Sequence, residues 1–119
     1  MTFYNVCPAE IESGGPELAH QMCHRLNDAG LEAYMYYIKS NDINPQDVNA
    51  SDKYIKYNTF HAKQLSEIEQ DTSVVVFNEG ATGLIPLIKH CHKVLWWMSV
   101  DNYLINTDGR DIDVIRKEV

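Results

Sequence analysis

The hydrophobic pattern of the chain alternates between two periodicities. Short continuous runs of apolar and aromatic residues occupy positions 3–7, 33–38, 73–77 and 94–98. Runs of this length without polar alternation are typical of strands that are covered on both faces of a parallel sheet. Pro8 follows the first run and predicts its end, because proline has no N–H to offer to a strand ladder.

The segments between these runs carry helical spacing. From Pro16 onward, apolar residues recur at intervals of four, four and three, which places them on one face of a helix. These residues are Leu18, Met22, Leu26 and Ala29. Gly30 is a suitable helix stop. Residues 82–90 are predicted as a second, short helix, with Pro86 disturbing its middle.

Strands that alternate with helices predict an α/β fold, here a Rossmann-like parallel sheet with helices on both faces. The expected strand order is about 3-2-1-4, in which the first and fourth strands are neighbours. Residues 53–70 stay ambiguous, because KYIKY has a strand-like composition and HAKQLSEIEQ a helical one. With 119 residues the chain is long enough for one domain only, residues 1–119, in which residues 104–119 form a polar tail.

Two glycines and a proline stand between the first strand and the first helix, in the sequence ESGGPELAH. Pro16 suits the first helical position, since an N–H there has no partner within the helix. Gly14 and Gly15 let bare backbone approach a ligand, and the helix behind them presents free N–H groups and a positive dipole end. Together with Glu17 they are candidate substrate-binding residues. The alternative is equally open at this point: the loop is only a tight connection, and Glu17 only favours the helix dipole.

A second polar cluster follows the fourth strand. In the expected order it faces the glycine loop across the crevice at the carboxyl ends of the strands, where α/β proteins usually bind ligands. Its candidate substrate-binding residues are Ser99, Asp101, Asn102 and Tyr103. Asp101 could act as a base or cap the following turn, so no catalytic residue is assigned. Asn78, Glu79 and Gly80, after the third strand, are interpreted as a turn and the start of a helix rather than as ligand contacts.

Charge and hydropathy exclude several classes of protein. A formal net charge of −7 gives no basic surface for a phosphate backbone, so no nucleic-acid partner is expected. No apolar run approaches the roughly 20 residues that span a bilayer, and the amino terminus lacks the order of a signal peptide. A cytoplasmic protein is expected, with a peripheral place at the inner face of the membrane left open. The 3 cysteines, without a CxxC pair, fit reduced and buried thiols.

No metal and no cofactor are predicted. His20 and His24 have the i, i+4 spacing of a zinc-protease motif, but Gln21 replaces its glutamate and no third ligand is evident. His90 and His92 flank a cysteine, but adjacent side chains point in different directions. The dinucleotide fingerprint G-x-G-x-x-G is absent, so nicotinamide and flavin cofactors are not expected.

Five stretches, taken in order, carry a family resemblance: YNVCP, SGGPELAHQ, YMYYIK, VVVFNE and VLWWMSVDNY. Together they resemble the amino-terminal half of bacterial glycosyltransferases of the GT-B type, in particular those of capsule or exopolysaccharide synthesis. The resemblance implies two Rossmann-like domains that face each other over a cleft. By that likeness, Gly14 and Gly15 would lie near the donor's diphosphate or the transferred sugar. Asp101, Asn102 and Tyr103 would line the floor of the cleft.

The resemblance also implies a division of labour between the two domains. The amino-terminal domain shapes the acceptor side and the carboxyl-terminal domain holds the nucleotide-sugar, whose sugar passes to a polysaccharide or lipid-linked acceptor. The chain is therefore expected to be inactive alone and to need a missing carboxyl-terminal domain or a partner chain. An incomplete sheet leaves an apolar edge, so self-association is also expected. The alternative function is that of a non-catalytic Rossmann-like or flavodoxin-like module that binds a small anion or a protein partner.

Overall fold

The computed structural model describes residues 1–9, 14–40, 42–48 and 51–96. Within these ranges four strands form one sheet: β1 (Thr2–Pro8), β2 (Glu32–Ile38), β3 (Ser73–Asn78) and β4 (His92–Trp96). They are connected by two α-helices, α1 (Gly14–Asp28) and α2 (Leu65–Ile68), and by two 3₁₀ helices, η1 (Asp52–Tyr57) and η2 (Glu79–Leu87). None of the helices in these ranges combines the length and the apolar character that crossing a membrane requires.

The sheet confirms the predicted fold class. All neighbouring strands are parallel, and helical elements cover both faces in a Rossmann-like α/β arrangement. The order β2-β1-β3-β4 differs from the predicted 3-2-1-4, because β3 rather than the fourth strand is the neighbour of β1. The physical reason for this strand order is found at the outer edge of β2, where the predicted third strand would pair. Residues 60–62 occupy that place through an isolated parallel bridge between Met35 and His61.

Side chains alternate between the two faces of the sheet, and each face has its own core. Against α1, the buried cluster consists of Cys7, Ala19, Cys23, Ala33, Met35 and Tyr37. On the opposite face, α2 and η2 pack on side chains of β1, β2 and β3; the fully buried members include Tyr36, Phe77, Ile68, Leu84, Ile85 and Ile88. Burial of apolar surface therefore holds a helical layer on each face of the sheet.

The face of α1 that packs on the sheet differs from the predicted one. Ala19, His20 and Cys23 are almost fully buried, whereas Leu18 is 39% exposed and Ala29 lies on the surface. The small side chains at positions 19 and 23 let the helix approach the strands closely. His20 is tolerated in the interior because both of its ring nitrogens are hydrogen-bonded. The apolar spacing thus located the helix but placed its buried stripe one position too early.

The end of α1 confirms the predicted stop at Gly30. The φ angle of Gly30 is 86°, in the left-handed region that favours glycine. Its N–H donates to Asn27 O at 3.0 Å. The Leu31 N–H donates to Leu26 O, also at 3.0 Å, which completes the pattern of a Schellman motif. The Asn27 amide then joins the helix end to β2 by accepting from Ala33 N at 2.9 Å and donating to Ala33 O at 3.1 Å.

The ambiguous residues 53–70 form two short helical elements rather than a continuous strand. KYIKY lies within η1, which buries Tyr54. The helical part of the segment forms α2, which buries Ile68 against the sheet. Composition therefore misleads at KYIKY, because its aromatic residues pack on α1 instead of joining a ladder.

The helix predicted at 82–90 is the 3₁₀ helix η2, which starts earlier, at Glu79, and contains Pro86. Asn78 caps it, since its Oδ1 accepts a hydrogen bond from Gly80 N at 2.9 Å. This contact agrees with the interpretation of the residues after β3 as a turn and a helix start.

The outer edge of β2 is covered by groups that do not belong to a strand. The Asn27 contacts satisfy its beginning. In its middle, Met35 exchanges both backbone groups with residues 60–62, at 2.8 and 2.9 Å. Near its end, the Gln46 N–H donates to Tyr37 O at 2.8 Å. Alternate residues of β2 thus find backbone partners outside the sheet.

Candidate functional site

The start of α1 lies after the carboxyl end of β1. β1 ends at Pro8, and Gly14, Gly15 and Pro16 open the first turn of α1. In the order β2-β1-β3-β4 the chain moves from β1 to one side and then crosses to the other, which makes the gap between β1 and β3 the switch point of the sheet. Ligands of open α/β sheets bind in the crevice at such a point. The predicted glycine turn therefore stands beside the place where the topology favours a binding site.

The polar cluster after the fourth strand was expected to face the glycine turn, but the observed strand order does not place the fourth strand next to β1. Its residues, Ser99, Asp101, Asn102 and Tyr103, lie outside the described residues. β4 ends at Trp96 and is separated from β1 by β3, so the expected contact between the first and fourth strands is not observed. The end of β3 takes that place instead, where Asn78 Nδ2 donates to Val6 O at 3.3 Å.

Asn5 is the unusual residue of β1. It is 2% exposed, and neither its amide nitrogen nor its amide oxygen has a hydrogen-bond partner among the described residues. It borders a narrow gap at the switch point whose other walls include Ala19, Val76, Asn78 and Trp96. A buried amide without partners costs roughly 1–3 kcal/mol. Asn5 therefore has a donor and an acceptor that no described residue satisfies, and the gap beside it is too narrow for a water-sized group.

Glu17, in the first turn of α1, is engaged with η1. Its Oε1 accepts a 2.5 Å hydrogen bond from the Tyr57 hydroxyl and lies 3.7 Å from Lys56 Nζ. The Gln21 amide donates to the Tyr57 oxygen at 3.2 Å. The hydrogen bond from Tyr57, helped by the neighbouring ammonium groups, holds the pKa of Glu17 below its usual value. Its Oε2 is buried and has no partner among the described residues, so Oε1 alone connects Glu17 to η1.

His20 lies one turn further along α1 and is 1% exposed. Its Nδ1 is 2.7 Å from the carbonyl oxygen of Pro16, and its Nε2 is 2.7 Å from the hydroxyl of Tyr37. A carbonyl can only accept, so Nδ1 carries the proton and Nε2 accepts from Tyr37. The Tyr54 ring stacks on the imidazole with centroids 4.4 Å apart and planes 13° apart. Burial lowers the pKa of His20, which keeps the ring neutral at pH 7.

These contacts hold the first turn of α1 from two sides. Glu17 fixes it to η1, and Pro16 is tied through His20 to β2. The N–H groups at the start of an α-helix have no partner within the helix, and they lie at its positive end. A rigid set of such donors suits a phosphate, a carboxylate or a sugar hydroxyl.

The other histidines and the cysteines of the described part show no metal centre. No group of three or more His, Cys, Asp or Glu residues in that part is arranged to hold an ion. His24 pairs with Asp28 at 3.1 Å on the surface of α1. Cys7 and Cys23 are buried, and burial raises the pKa of each thiol to about 12, which leaves them as apolar core residues.

Sequence reasoning misses the roles of Asn5, His20, Tyr54 and Tyr57. A signal exists for Asn5, because it is the polar residue inside the apolar run FYNVC. For His20 the local spacing suggests only a ligand pair with His24. Its partner Tyr37 is 17 residues away, and Glu17 meets Tyr57 across 40 residues, so no local pattern contains these contacts.

Comparison with known proteins does not assign a family. No family model, no curated protein and no solved structure matches the chain. A functional conclusion therefore depends on the fold, on the geometry at the start of α1 and on the sequence resemblance described above.

Proposed function

We propose that this chain is the acceptor-side, Rossmann-like domain of a glycosyltransferase of the GT-B type. It works with a donor-binding domain, in the same chain or in a partner chain, and transfers a sugar from a nucleotide-sugar to a polysaccharide or lipid-linked acceptor. The observation that carries the proposal is the Gly14–Gly15–Pro16 turn, which opens α1 beside the switch point between β1 and β3. The resemblance of SGGPELAHQ and VLWWMSVDNY to this family supports it.

The chemistry of the turn fits the donor side of the reaction. Transfer from a nucleotide-sugar develops negative charge on the leaving diphosphate. Backbone N–H groups at a helix start stabilise such charge when they are held rigidly, and glycine leaves them open to close approach. With a net charge of −7, the chain leaves the main cationic contacts to the donor-binding domain. Nucleotide-sugars should therefore bind weakly to this chain alone.

A second candidate function is that of a flavodoxin-like binding module. The order β2-β1-β3-β4 is also the order in which flavodoxin-like sheets begin, and these bind their ligand at the β1/β3 switch point. In that case the start of α1 binds a small anion or an acidic group of a partner without any second domain.

Calorimetric titration separates the two candidates. The transferase proposal expects dissociation constants weaker than about 1 mM for UDP-sugars and GDP-sugars with the chain alone. The module expects tight, stoichiometric binding of inorganic phosphate or a nucleotide to the chain alone. That second outcome would contradict the division of labour between two domains.

Transfer is measured with this chain joined to, or mixed with, a donor-binding domain, using a radiolabelled nucleotide-sugar. Gly15→Ala is expected to lower kcat/KM about tenfold, because a methyl group covers the open backbone at the helix start. Gly83→Ala is the matched control, since a Cβ there meets no atom within 4 Å. Equal kcat/KM values for the two variants would remove the glycine turn from the mechanism.

A further inference from the structure

A cavity of about 330 Å³ lies between the outer edge of β2 and η1, apart from the glycine turn. Small-molecule sites have volumes of roughly 300–1,000 Å³, so it has room for a ligand the size of one ring. Its walls are aromatic and polar, and they include Tyr37, Asp52, Tyr54, Asn58, Thr59 and His61.

The two tyrosines in the wall of the cavity are fixed by contacts with His20, which lies behind them in the core. Tyr37 donates its hydroxyl hydrogen to His20 Nε2, and Tyr54 stacks on the same imidazole. Both tyrosines are 3% exposed, and their positions follow from contacts in the core of α1 and β2. Because both rings are almost fully buried, each exposes only a small apolar part to the cavity, and that part is fixed in position.

A histidine with a defined orientation lies beside Tyr37 in the wall of the cavity. His61 Nε2 lies 2.9 Å from Asp47 Oδ1. The carboxylate accepts, so Nε2 carries a proton, and Nδ1 is the ring nitrogen that is left to bond a ligand hydroxyl. The Tyr37 and His61 rings are 5.5 Å apart at 53°. The hydrogen bond from His61 also keeps the pKa of Asp47 below its usual value.

The end of η1 brings two more polar side chains to the wall. Asn58 has a φ angle of 50°, in the left-handed region that few residues other than glycine and asparagine adopt. Its N–H donates to Ile55 O at 3.0 Å and closes the last turn. Thr59 follows directly, so an amide and a hydroxyl stand next to each other in the cavity. The Thr59 hydroxyl donates to the Tyr37 oxygen, and its own oxygen can still accept from a ligand hydroxyl.

The charge of the walls decides between ligand classes. No lysine or arginine is among the described residues that line the cavity, and Asp52 contributes a carboxylate. Lys53 lies with its Nζ 5.8 Å from the Tyr54 ring centroid but does not line the cavity. A phosphate would meet a carboxylate without a paired cation. A neutral ring with several hydroxyls finds donors, acceptors and an apolar face.

We propose that this cavity binds a neutral pyranose ring, with the Asn58 amide, the Thr59 hydroxyl and His61 Nδ1 bonding its hydroxyls and the exposed parts of the two tyrosines closing the wall behind it. The identification of this ring as part of the acceptor rests on the proposed function. The binding of the ring itself does not.

The test is an NMR titration of the full chain with methyl glycosides of glucose, galactose, mannose and N-acetylglucosamine, and with inorganic phosphate. At least one glycoside is expected to cause saturable shifts of the Asn58, Thr59 and His61 amide signals. Asn58→Gly removes the amide at a backbone conformation that glycine adopts freely, so the fold is kept. Loss of one ligand hydrogen bond should weaken binding about fivefold.

Thr59→Val is the second variant and Thr72→Val, at an exposed threonine, its matched control. Thr59→Val should weaken glycoside binding and Thr72→Val should not. The proposal is overturned if no glycoside binds, if phosphate shifts the same signals more strongly, or if both cavity variants bind as the wild type does.

The same measurements separate this site from the proposed function. Glycoside binding that depends on the cavity, in a chain that never supports transfer with a donor-binding domain, upholds the site and removes the transferase. Transfer that proceeds in the absence of any cavity-dependent binding upholds the transferase and removes the site.

Discussion

The Tyr57 hydroxyl donates a 2.5 Å hydrogen bond to Glu17 Oε1 and so joins the end of η1 to the first turn of α1. The two residues are 40 positions apart in the chain. Glu17 was a candidate for ligand contact, and the bond shows that it also holds together the elements around the candidate site.

Tyr57→Phe should raise the pKa of Glu17, because the hydrogen bond is the largest cause that lowers it. A carboxylate with a lowered folded-state pKa stabilises the protein above its unfolded pKa, and this stability is lost as pH falls through the folded-state value. The variant should therefore lose less stability on acidification. Carbon-detected NMR titration of the Glu17 carboxyl measures the shift. Tyr34→Phe is the control, because it removes a comparable 2.7 Å hydrogen bond to Glu32. It should leave the pKa of Glu17 unchanged.

His20 should make the protein less stable in mild acid. Its folded-state pKa is lowered by burial, so the unfolded chain takes up a proton near pH 6.5 that the folded chain does not. The free energy of unfolding should fall as pH goes from about 7 to about 5, by at most ~1.4 kcal/mol per pH unit from this group. His20→Gln should flatten that slope, as measured by urea unfolding across pH. The comparison variant is His90→Gln, at an exposed position; equal slopes in the two variants would contradict the assignment.

Asn5→Leu should raise the free energy of unfolding by about 1 kcal/mol, because it replaces a buried amide without partners by an apolar side chain of similar shape. Asn27→Leu provides the contrast, since the Asn27 amide bonds both backbone groups of Ala33 and its loss should destabilise. Chemical denaturation of both variants measures the difference. A loss of stability for Asn5→Leu would show that the amide has a partner in solution.

Thiol labelling should distinguish one cysteine from the other two. Cys7 and Cys23 are fully buried with pKa values raised to about 12, so they lack both access and thiolate character. Cys91 is partly exposed; burial and the nearby Glu69 raise the pKa of its thiol too, so its labelling should be slower than that of a free cysteine. At pH 8 the native protein should take up one equivalent of iodoacetamide, at Cys91, and the denatured protein all 3. Mass spectrometry reads the result, and Cys91→Ser should abolish labelling of the native state.

The elements that the sequence predicts well are those whose signal is local. After Ser73, the run through position 77 is apolar without interruption because β3 is covered on both faces. Gly30 is needed where the backbone turns left-handed. The helix is predicted after the first strand for the same reason, but α1 begins at Gly14, so Gly14 and Gly15 belong to its first turn and Pro16 is not its first residue. Each signal lies within a few residues of the feature that it predicts.

The elements that the sequence does not predict depend on distant partners. In the observed strand order, an isolated bridge between Met35 and His61 occupies the place beside β2 where the third strand was expected. The sequence around His61 has no strand-like pattern that would predict this bridge. The buried stripe of α1 includes His20 only because Tyr37 and Pro16 satisfy its ring. The strand order and the buried polar contacts depend on residues that are far apart in the chain, so local composition does not predict them.

The backbone groups at the outer edge of β2 are paired with several different parts of the chain, and this has a consequence for aggregation at high protein concentration. An edge strand with free backbone groups is a template on which further strands can add. Here a side-chain amide, a one-residue bridge and a loop N–H occupy those positions in turn, so an incoming strand finds no continuous row to copy. The irregular pairing along this edge of β2 therefore disfavours aggregation by the addition of strands from other molecules.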